Sequence, residues 1–455
     1  MAKNLLPRRR VLAGLLASAG GLAATQVALA RTRPIAGTGG LLDASSRGLS
    51  PGTDATRLLQ KLLDETARTG EILFLPPGDY FCDILRLPAV TRLAGIRGAS
   101  RLLGPRFALQ ANDARQVRIN GLTLDGLGRR GQLLDRHLVE IVVCPDLAIE
   151  DCDLLGAGGH ALALTKVGGR IDTCRIAGAN LAALMSFDAT SLAVTGNTVE
   201  DCGNGGILIH RETPGDDRSI VSGNRVSRTR ADAGGTGENG NGINVFRAHG
   251  VSVIGNQVAD SAFSAIRSNG GSNALITNNT CLNSGETAVY AEFQFEGAVI
   301  SGNLVDGAAI GISIANFNEG GRLATCTGNL IRNLRSTGPY PADEPGFGMG
   351  ISVEADTVVS NNIVEGAPLF GLKLGWGPYL RDVSATGNVL RDCGTGIGVS
   401  VVEGCGRALI ASNLISDAKA GAIVGYRWSE AVTADLAKYP ESAPAHLSLS
   451  ANMAG

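Results

Sequence analysis

Gly302-Asn303-Leu304-Val305 and Gly328-Asn329-Leu330-Ile331 are two of nine copies of one phrase. The set runs GNTV at Gly196, GNRV at Gly223, GNQV at Gly255, NNTC at Asn278 and GNLV at Gly302. It continues as GNLI at Gly328, NNIV at Asn361, GNVL at Gly387 and SNLI at Ser412. The second-position asparagines are spaced by 27, 32, 23, 24, 26, 33, 26 and 25 residues. A period of this size marks a solenoid, in which each unit buries its apolar face only against its neighbours. A second phrase alternates with the first: GILI at Gly206, GINV at Gly242, AIRS at Ala265, AVYA at Ala288, GISI at Gly311, GISV at Gly350, GLKL at Gly371 and GIGV at Gly396. Both phrases place apolar residues two apart, as short strands with one buried face do. Each unit is therefore read as strand, Gly-Asn turn, strand, turn, strand. The prediction is an all-β, right-handed parallel β-helix, with weaker coils upstream around Gly121–Leu124, Cys152–Leu154 and Cys174–Ile176.

The first thirty residues read differently. Arg8-Arg9-Arg10 opens a mildly apolar stretch that ends at Ala28-Leu29-Ala30. A charged start, an apolar middle and an A-x-A end read as a signal peptide, and paired arginines point to the twin-arginine export machinery. The stretch is long enough to compare with a membrane anchor, but its Gly and Ala content makes it weakly apolar. The mature chain is expected to have no membrane span and to be periplasmic or secreted. Removing residues 1–30 deletes Lys3, Arg8, Arg9 and Arg10 and no acid, which leaves 36 basic against 42 acidic residues. That balance gives no basic footprint for nucleic acid. Sixty-three glycines and 4% aromatics suit a turn-rich stack. Nine cysteines form no CxxC and no zinc-like set with histidine. They are read mainly as small core hydrophobes, with Cys152 and Cys174 stacked at the position that asparagine takes later. A disulfide between stacked coils stays open as an alternative in an oxidising compartment.

Four regions follow: the leader (1–30), an N-terminal segment with a capping helix and first strand (31–80), the coils (81–427) and a C-terminal cap (428–455). Thr53-Asp54 followed by Leu58, Leu59, Leu62 and Leu63 predicts an N-capped amphipathic helix closed by Gly70. Such a helix would cover the open end of the stack. Ser429 to His446 is read as containing an Ala-rich helical stretch before a last strand at Leu447-Ser448-Leu449. The segment Gly52-Thr53-Asp54-Ala55-Thr56, Leu59-Gln60, Gly70 and Phe74-Leu75-Pro76-Pro77-Gly78-Asp79-Tyr80 resembles the opening of pectate-lyase-like β-helix proteins. Joined to a twin-arginine leader and Gly-Asn repeats, it resembles the twin-arginine-translocated repetitive proteins, a family with no assigned activity. The resemblance implies the fold and leaves the reaction open.

Insertions point to the useful face. Glu212–Arg218, Ala231–Asn241 and Ser336–Phe347 all border the GIxV column, and loops at the margins of one sheet build a walled groove. Alternation then names the outward pairs. They are Leu208/His210, Asn244/Phe246, Arg267/Asn269, Tyr290/Glu292, Ser313/Ala315, Ser352/Glu354 and Lys373/Gly375, with Arg247 and Trp376 just beyond strand ends. Arg267, Tyr290 and Glu292, with His210 as a second acid/base, are the catalytic candidates. Arg267 beside Tyr290 would lower the phenol's pKa and suit it to proton abstraction. Arg267 or Lys373 would hold a uronate carboxylate. Asn244, Phe246, Arg247, Asn269, Glu354, Lys373 and Trp376 are the substrate-binding candidates.

These residues point to an acidic polysaccharide or oligosaccharide as partner and to lyase-type β-elimination as the reaction. A non-catalytic glycan-binding or surface protein is the alternative. Inverting hydrolysis by Glu292 and Glu354, roughly 9–10 Å apart across two strand spacings, ranks third. The asparagine column is read as structural, because asparagine serves turns and stacked copies bond one another. No cofactor and no metal are predicted. Asp216-Asp217 is the nearest approach to a calcium site, and two carboxylates are too few to define one.

Overall fold

The computed structural model describes residues 40–128 and 136–455. The expected leader, residues 1–30, lies outside them, as do residues 31–39. The described chain is a parallel β-helix built from three columns of strands. The front column holds the GIxV phrases and runs from Ile84–Arg86 to Ile423–Arg427. The second runs from Leu41–Asp43 to Leu447–Ser450, and the third from Gly78–Phe81 to Met453–Ala454. Pairing is parallel throughout these columns. In the front column Leu184, Ile207, Ile243, Ile266, Val289, Ile312, Ile351, Leu372, Ile397 and Ile423 face one another in turn. All ten are buried and form the core. The register is strict because a one-residue slip would turn this apolar row outward.

The Gly-Asn turn sets that register. Its first residue takes the left-handed conformation, at φ +64° in Gly196, Gly223 and Gly302 and at φ +56° in Asn278, Asn361 and Ser412. The asparagine that follows is not the left-handed residue. Its amide points inward instead and is at most 1% exposed at all nine positions. Asn303 shows the pattern. Its Oδ1 accepts from the Asn279 N–H and from Asn279 Nδ2, both at 3.0 Å. Its Nδ2 donates to Ile276 O and to Asn329 Oδ1, both at 3.0 Å. The same four bonds repeat from Asn224 to Asn413, and a tenth asparagine, Asn452, receives the last pair. Cys174 and Cys152 continue the column towards the N-terminus in adjacent rungs. All nine cysteines are free, and eight are buried.

The ends are covered in two ways. The helix Thr56–Thr69 packs Leu59, Leu62, Leu63 and Thr66 onto the first coils. Asp54 Oδ1 accepts from the Thr56 N–H (2.9 Å), and Gly70, at φ +78°, closes the last turn. Gln60 bonds both the N–H and the C=O of Arg86, which satisfies a strand edge. At the other end the expected Ala-rich helix is a β-hairpin. Glu430–Asp435 pairs antiparallel with Ile423–Arg427, followed by the short 3-10 turn Pro440–Ser442. The unpaired edge of the last front strand decides this. Asp435 accepts from the Ala422 and Ile423 N–H groups, bonds that a helix would forgo. The strand at Leu447 is present as expected. Among the described residues no helix is long and apolar enough to cross a membrane.

Asn303→Ala removes the acceptor for two buried donors and two donor bonds to the neighbouring coils. It should destabilise the protein by about 3 kcal/mol, at ~1–3 kcal/mol for each buried group left unpaired. Asn452→Ala, at the part-buried end of the ladder, should cost much less. Denaturant midpoints of the two variants against wild type check this.

Candidate functional site

Strand alternation brings the outward residues of the front column into two rows. Leu208, Asn244, Arg267, Tyr290, Ser313, Ser352 and Lys373 face one another in order. Phe187, His210, Phe246, Asn269 and Glu292 form the second row. Ala315 and Glu354 continue it, one residue beyond the paired Ile314 and Val353. The sequence reading of which side chains leave the core is thus met. Their exposure differs from a groove, because two insertions fold down over the column.

Arg267 is 9% exposed and Glu292 2%. Arg267 Nε donates to Glu292 Oε1 at 2.5 Å, and Nη1 donates to Gly237 O at 2.8 Å. Gly237 belongs to the Ala231–Asn241 insertion. A second carboxylate, Glu286, stands 3.8 Å from Nη1 and is also buried. It accepts from Ser264 Oγ (2.9 Å) and from Tyr340 Oη (2.5 Å). Tyr340 belongs to the Ser336–Phe347 insertion and stacks on Phe263. Asn269 Nδ2 completes the cluster with a 3.0 Å bond to Glu292 Oε1. The guanidinium therefore lies between two carboxylates and bonds one loop, while Glu286 bonds the other through Tyr340. The Glu212–Arg218 insertion takes no part. It prolongs the strand Gly205–Asp216, and Arg247 Nη1 donates to Glu212 O.

The electrostatics correct the expected chemistry. Burial pushes the Tyr290 phenol up, and the Glu292 and Glu286 carboxylates push it further. Arg267, whose guanidinium carbon is 5.3 Å from the ring centroid, opposes them and loses. Tyr290 is therefore not a lowered-pKa base. Burial also raises the Glu292 carboxyl, against the pull of Arg267. Nor is the whole Arg267 fork free to clamp a ligand carboxylate, since Nε and Nη1 are already engaged. Asn244, its neighbour in the row, is buried with Oδ1 unpartnered among the described residues.

His210 is not brought to this cluster. It lies three rungs from Glu292, roughly 14 Å along the stack. Its ring sits between Phe187 (5.7 Å) and Phe246 (5.5 Å). Burial there takes it down to about 4, and its Nε2 has no partner among the described residues. Further along, Lys373 is 5% exposed. It donates to Gly375 O at 3.0 Å and lies 4.2 Å from the Trp376 ring centroid. Burial brings it down to about 7, with Glu354 pulling the other way. Glu354 is raised by burial and accepts from the Phe317 N–H. Trp428 packs edge-on against Trp376 at 5.3 Å. Glu292 and Glu354 do stand two rungs apart in one row, as the spacing predicts. The paired aspartates are otherwise engaged: Asp216 with Arg218, and Asp217 with the Ser219 N–H. Among the described residues no three His, Cys, Asp or Glu side chains converge as a metal site.

Sequence reasoning missed Glu286, Tyr340, Phe317 and Trp428. Glu286 precedes its strand, where alternation has no purchase. Tyr340 could have been picked out as an aromatic in the longest insertion, and Trp428 as the partner of the chain's other tryptophan.

Arg267→Met leaves two buried carboxylates without their cation and should cost about 3–5 kcal/mol at neutral pH. The sign with pH follows from Glu292. Its folded pKa is raised, so its contribution is full below the unfolded value and is lost as pH rises through the folded one. Without Arg267 that rise grows, so the variant's deficit should shrink on acidification from pH 7.5 to 5. Thermal melts of both proteins across that range check it.

The family described as right-handed β-helix region matches residues 232–379. No curated protein matches the sequence. Among solved structures, the N-terminal fragment of gene product 12 of bacteriophage phi29 is similar at a TM-score of 0.58 and 13% identity. That likeness covers 84% of this chain and 68% of that one. The pre-mature form of the same phage protein gives a TM-score of 0.54 at 12% identity, covering 84% and 69%. These likenesses concern the fold, and in fold this chain is a right-handed parallel β-helix.

Proposed function

We propose that this protein is an exported, non-catalytic β-helix that binds an acidic polysaccharide along the outer face of its front column. One observation carries the reading: Arg267, Glu292 and Glu286 of that face are engaged with one another beneath loops, while a row of aromatic side chains beside them stays accessible. Phe187, His210, Phe246, Phe317 and Trp376 keep partial or full exposure. Sugar rings pack on such surfaces through their apolar faces. Arg247 is exposed and lies 4.6 Å from the Phe246 ring centroid, so a uronate stacked there would meet a cation. Arg267 and Lys373, first considered for that task, are buried.

Phe246→Ala and Trp376→Ala should each weaken polyuronate binding at least tenfold by titration calorimetry, at ~1.4 kcal/mol per decade. Arg247→Ala should weaken uronate binding while sparing neutral glycans. No unsaturated product or new reducing end should appear with any substrate. Export is the second half of the proposal and rests on Arg8-Arg9-Arg10 and Ala28-Leu29-Ala30. Replacing the three arginines by lysine should retain the protein in the cytoplasm, read by fractionation.

Cleavage is the second reading, favoured by Glu292 and Glu354, two carboxyls raised by burial two rungs apart. That separation sits at the upper edge of the range for inverting hydrolysis. Turnover that disappears in Glu292→Gln would establish it and overturn the binding-only reading. Lyase chemistry is the weaker form, since Tyr290 is raised and Arg267 is engaged.

A further inference from the structure

The third column carries a feature that glycan binding does not use. The residue after each ladder asparagine points outward, and in the C-terminal half it is aliphatic on six consecutive rungs. Leu304, Leu330, Ile363, Val389, Leu414 and Met453 face one another in strict register. Leu304 is half-buried, and the other five are 36% to 69% exposed. The N-terminal half of the same row is polar: Asp153, Arg175, Thr198, Arg225, Gln257 and Thr280. Six aligned aliphatic side chains make a stripe about 24 Å long at one strand spacing per rung. Scattered exposed apolar residues need no explanation, but a contiguous stripe marks a contact surface.

The row beside the stripe, two residues further along each strand, is charged and alternates: Asp306, Arg332, Glu365, Arg391. Asp306 and Arg332 pair with each other at 2.8 Å. Glu365 has no ion pair among the described residues, and Arg391 reaches only Asp417, at 3.8 Å. These two under-paired, opposite charges occupy the adjacent rungs at the centre of the stripe.

We propose that this face docks a second copy of the same chain, antiparallel, about a two-fold axis lying along the strand direction between the Ile363 and Val389 rungs. Such an axis reverses the stack while keeping each row opposite itself. Ile363 then meets the partner's Val389, Leu330 meets the partner's Leu414, and Leu304 meets the partner's Met453. The same operation sets Glu365 against the partner's Arg391, twice over. An isologous contact requires this self-complementarity, in which i meets j and j meets i. The stripe is small beside the ~800 Å² per partner of a standard interface, so the dimer is a weak one.

The test is sedimentation velocity on the mature protein at about 1 to 100 µM, the range for a small interface. Wild type should shift from monomer to dimer across that range. Glu365→Arg should be monomeric at the top concentration, and Glu365→Arg with Arg391→Glu should recover the dimer. Leu330→Ser with Ile363→Ser should abolish it, with unchanged circular dichroism showing that the solenoid is intact. A wild-type monomer throughout overturns the proposal. So does a dimer that survives Glu365→Arg, or a double charge exchange that fails to restore it. Glycan binding is measured separately on the front column and is not altered by these variants.

Discussion

The asparagine ladder is the constraint from which the rest of the structure follows. Each amide accepts from the coil before it and donates to that coil and the next, so all the Oδ1 atoms point towards the N-terminal end. A shift of one coil by a single residue would leave buried donors and acceptors without partners on both sides. The apolar core alone tolerates some sliding, since Ile, Val and Leu fill similar volumes. A buried polar column does not, because an unpaired amide in a low-dielectric interior is costly. The ladder thereby fixes which residues line up on every outer row, many coils away in sequence.

That register explains why the front face looks reactive in sequence and is quiet in structure. Alternation correctly sends Arg267, Tyr290 and Glu292 to the same side of adjacent strands. It says nothing about what lies over them. Gly237 and Tyr340 come from insertions, and their contacts turn a row of candidate acids and bases into an internally bonded staple. Burial then acts on each group according to its charge: it raises the Glu292 and Glu354 carboxyls and the Tyr290 phenol and lowers Lys373 and His210. Arg267, Glu292 and Asn269 are thus bonded to one another under the two loops, with Glu286 beside them.

The coil pattern was legible because it repeats: nine Gly-Asn phrases and eight GIxV phrases carry the same period, and one register satisfies them all. The capping helix was legible from Asp54, the Leu59, Leu62 and Leu63 face, and Gly70. The C-terminal hairpin was not. Ala431, Ala434 and Ala437 favour helix locally, yet the open edge of Ile423–Arg427 offered hydrogen bonds that local propensity does not register. For the candidate site the rows were readable and the lids were not, since loop conformation depends on contacts such as Tyr340 with Glu286 that no periodicity encodes. The same limit applies to Tyr290. Its neighbour Arg267 is in the pattern, but the direction of the Tyr290 pKa shift is set by burial first, then by Glu292 and by Glu286, and neither burial nor Glu286 is encoded in the strand alternation.

Residue-resolved hydrogen exchange of the ladder amides tests the central claim most directly. The backbone N–H groups of Asn279, Asn303, Asn329 and Asn362 lie in tight turns, where exchange is ordinarily fast. If each is donated to the next asparagine's side chain inside the stack, all four should exchange only as slowly as the buried front strands do. Exchange as rapid as that of the exposed loop residues Gly235 and Gly404, whose N–H groups have no bonded partner among the described residues, would contradict the ladder, and with it the register on which every outer row depends.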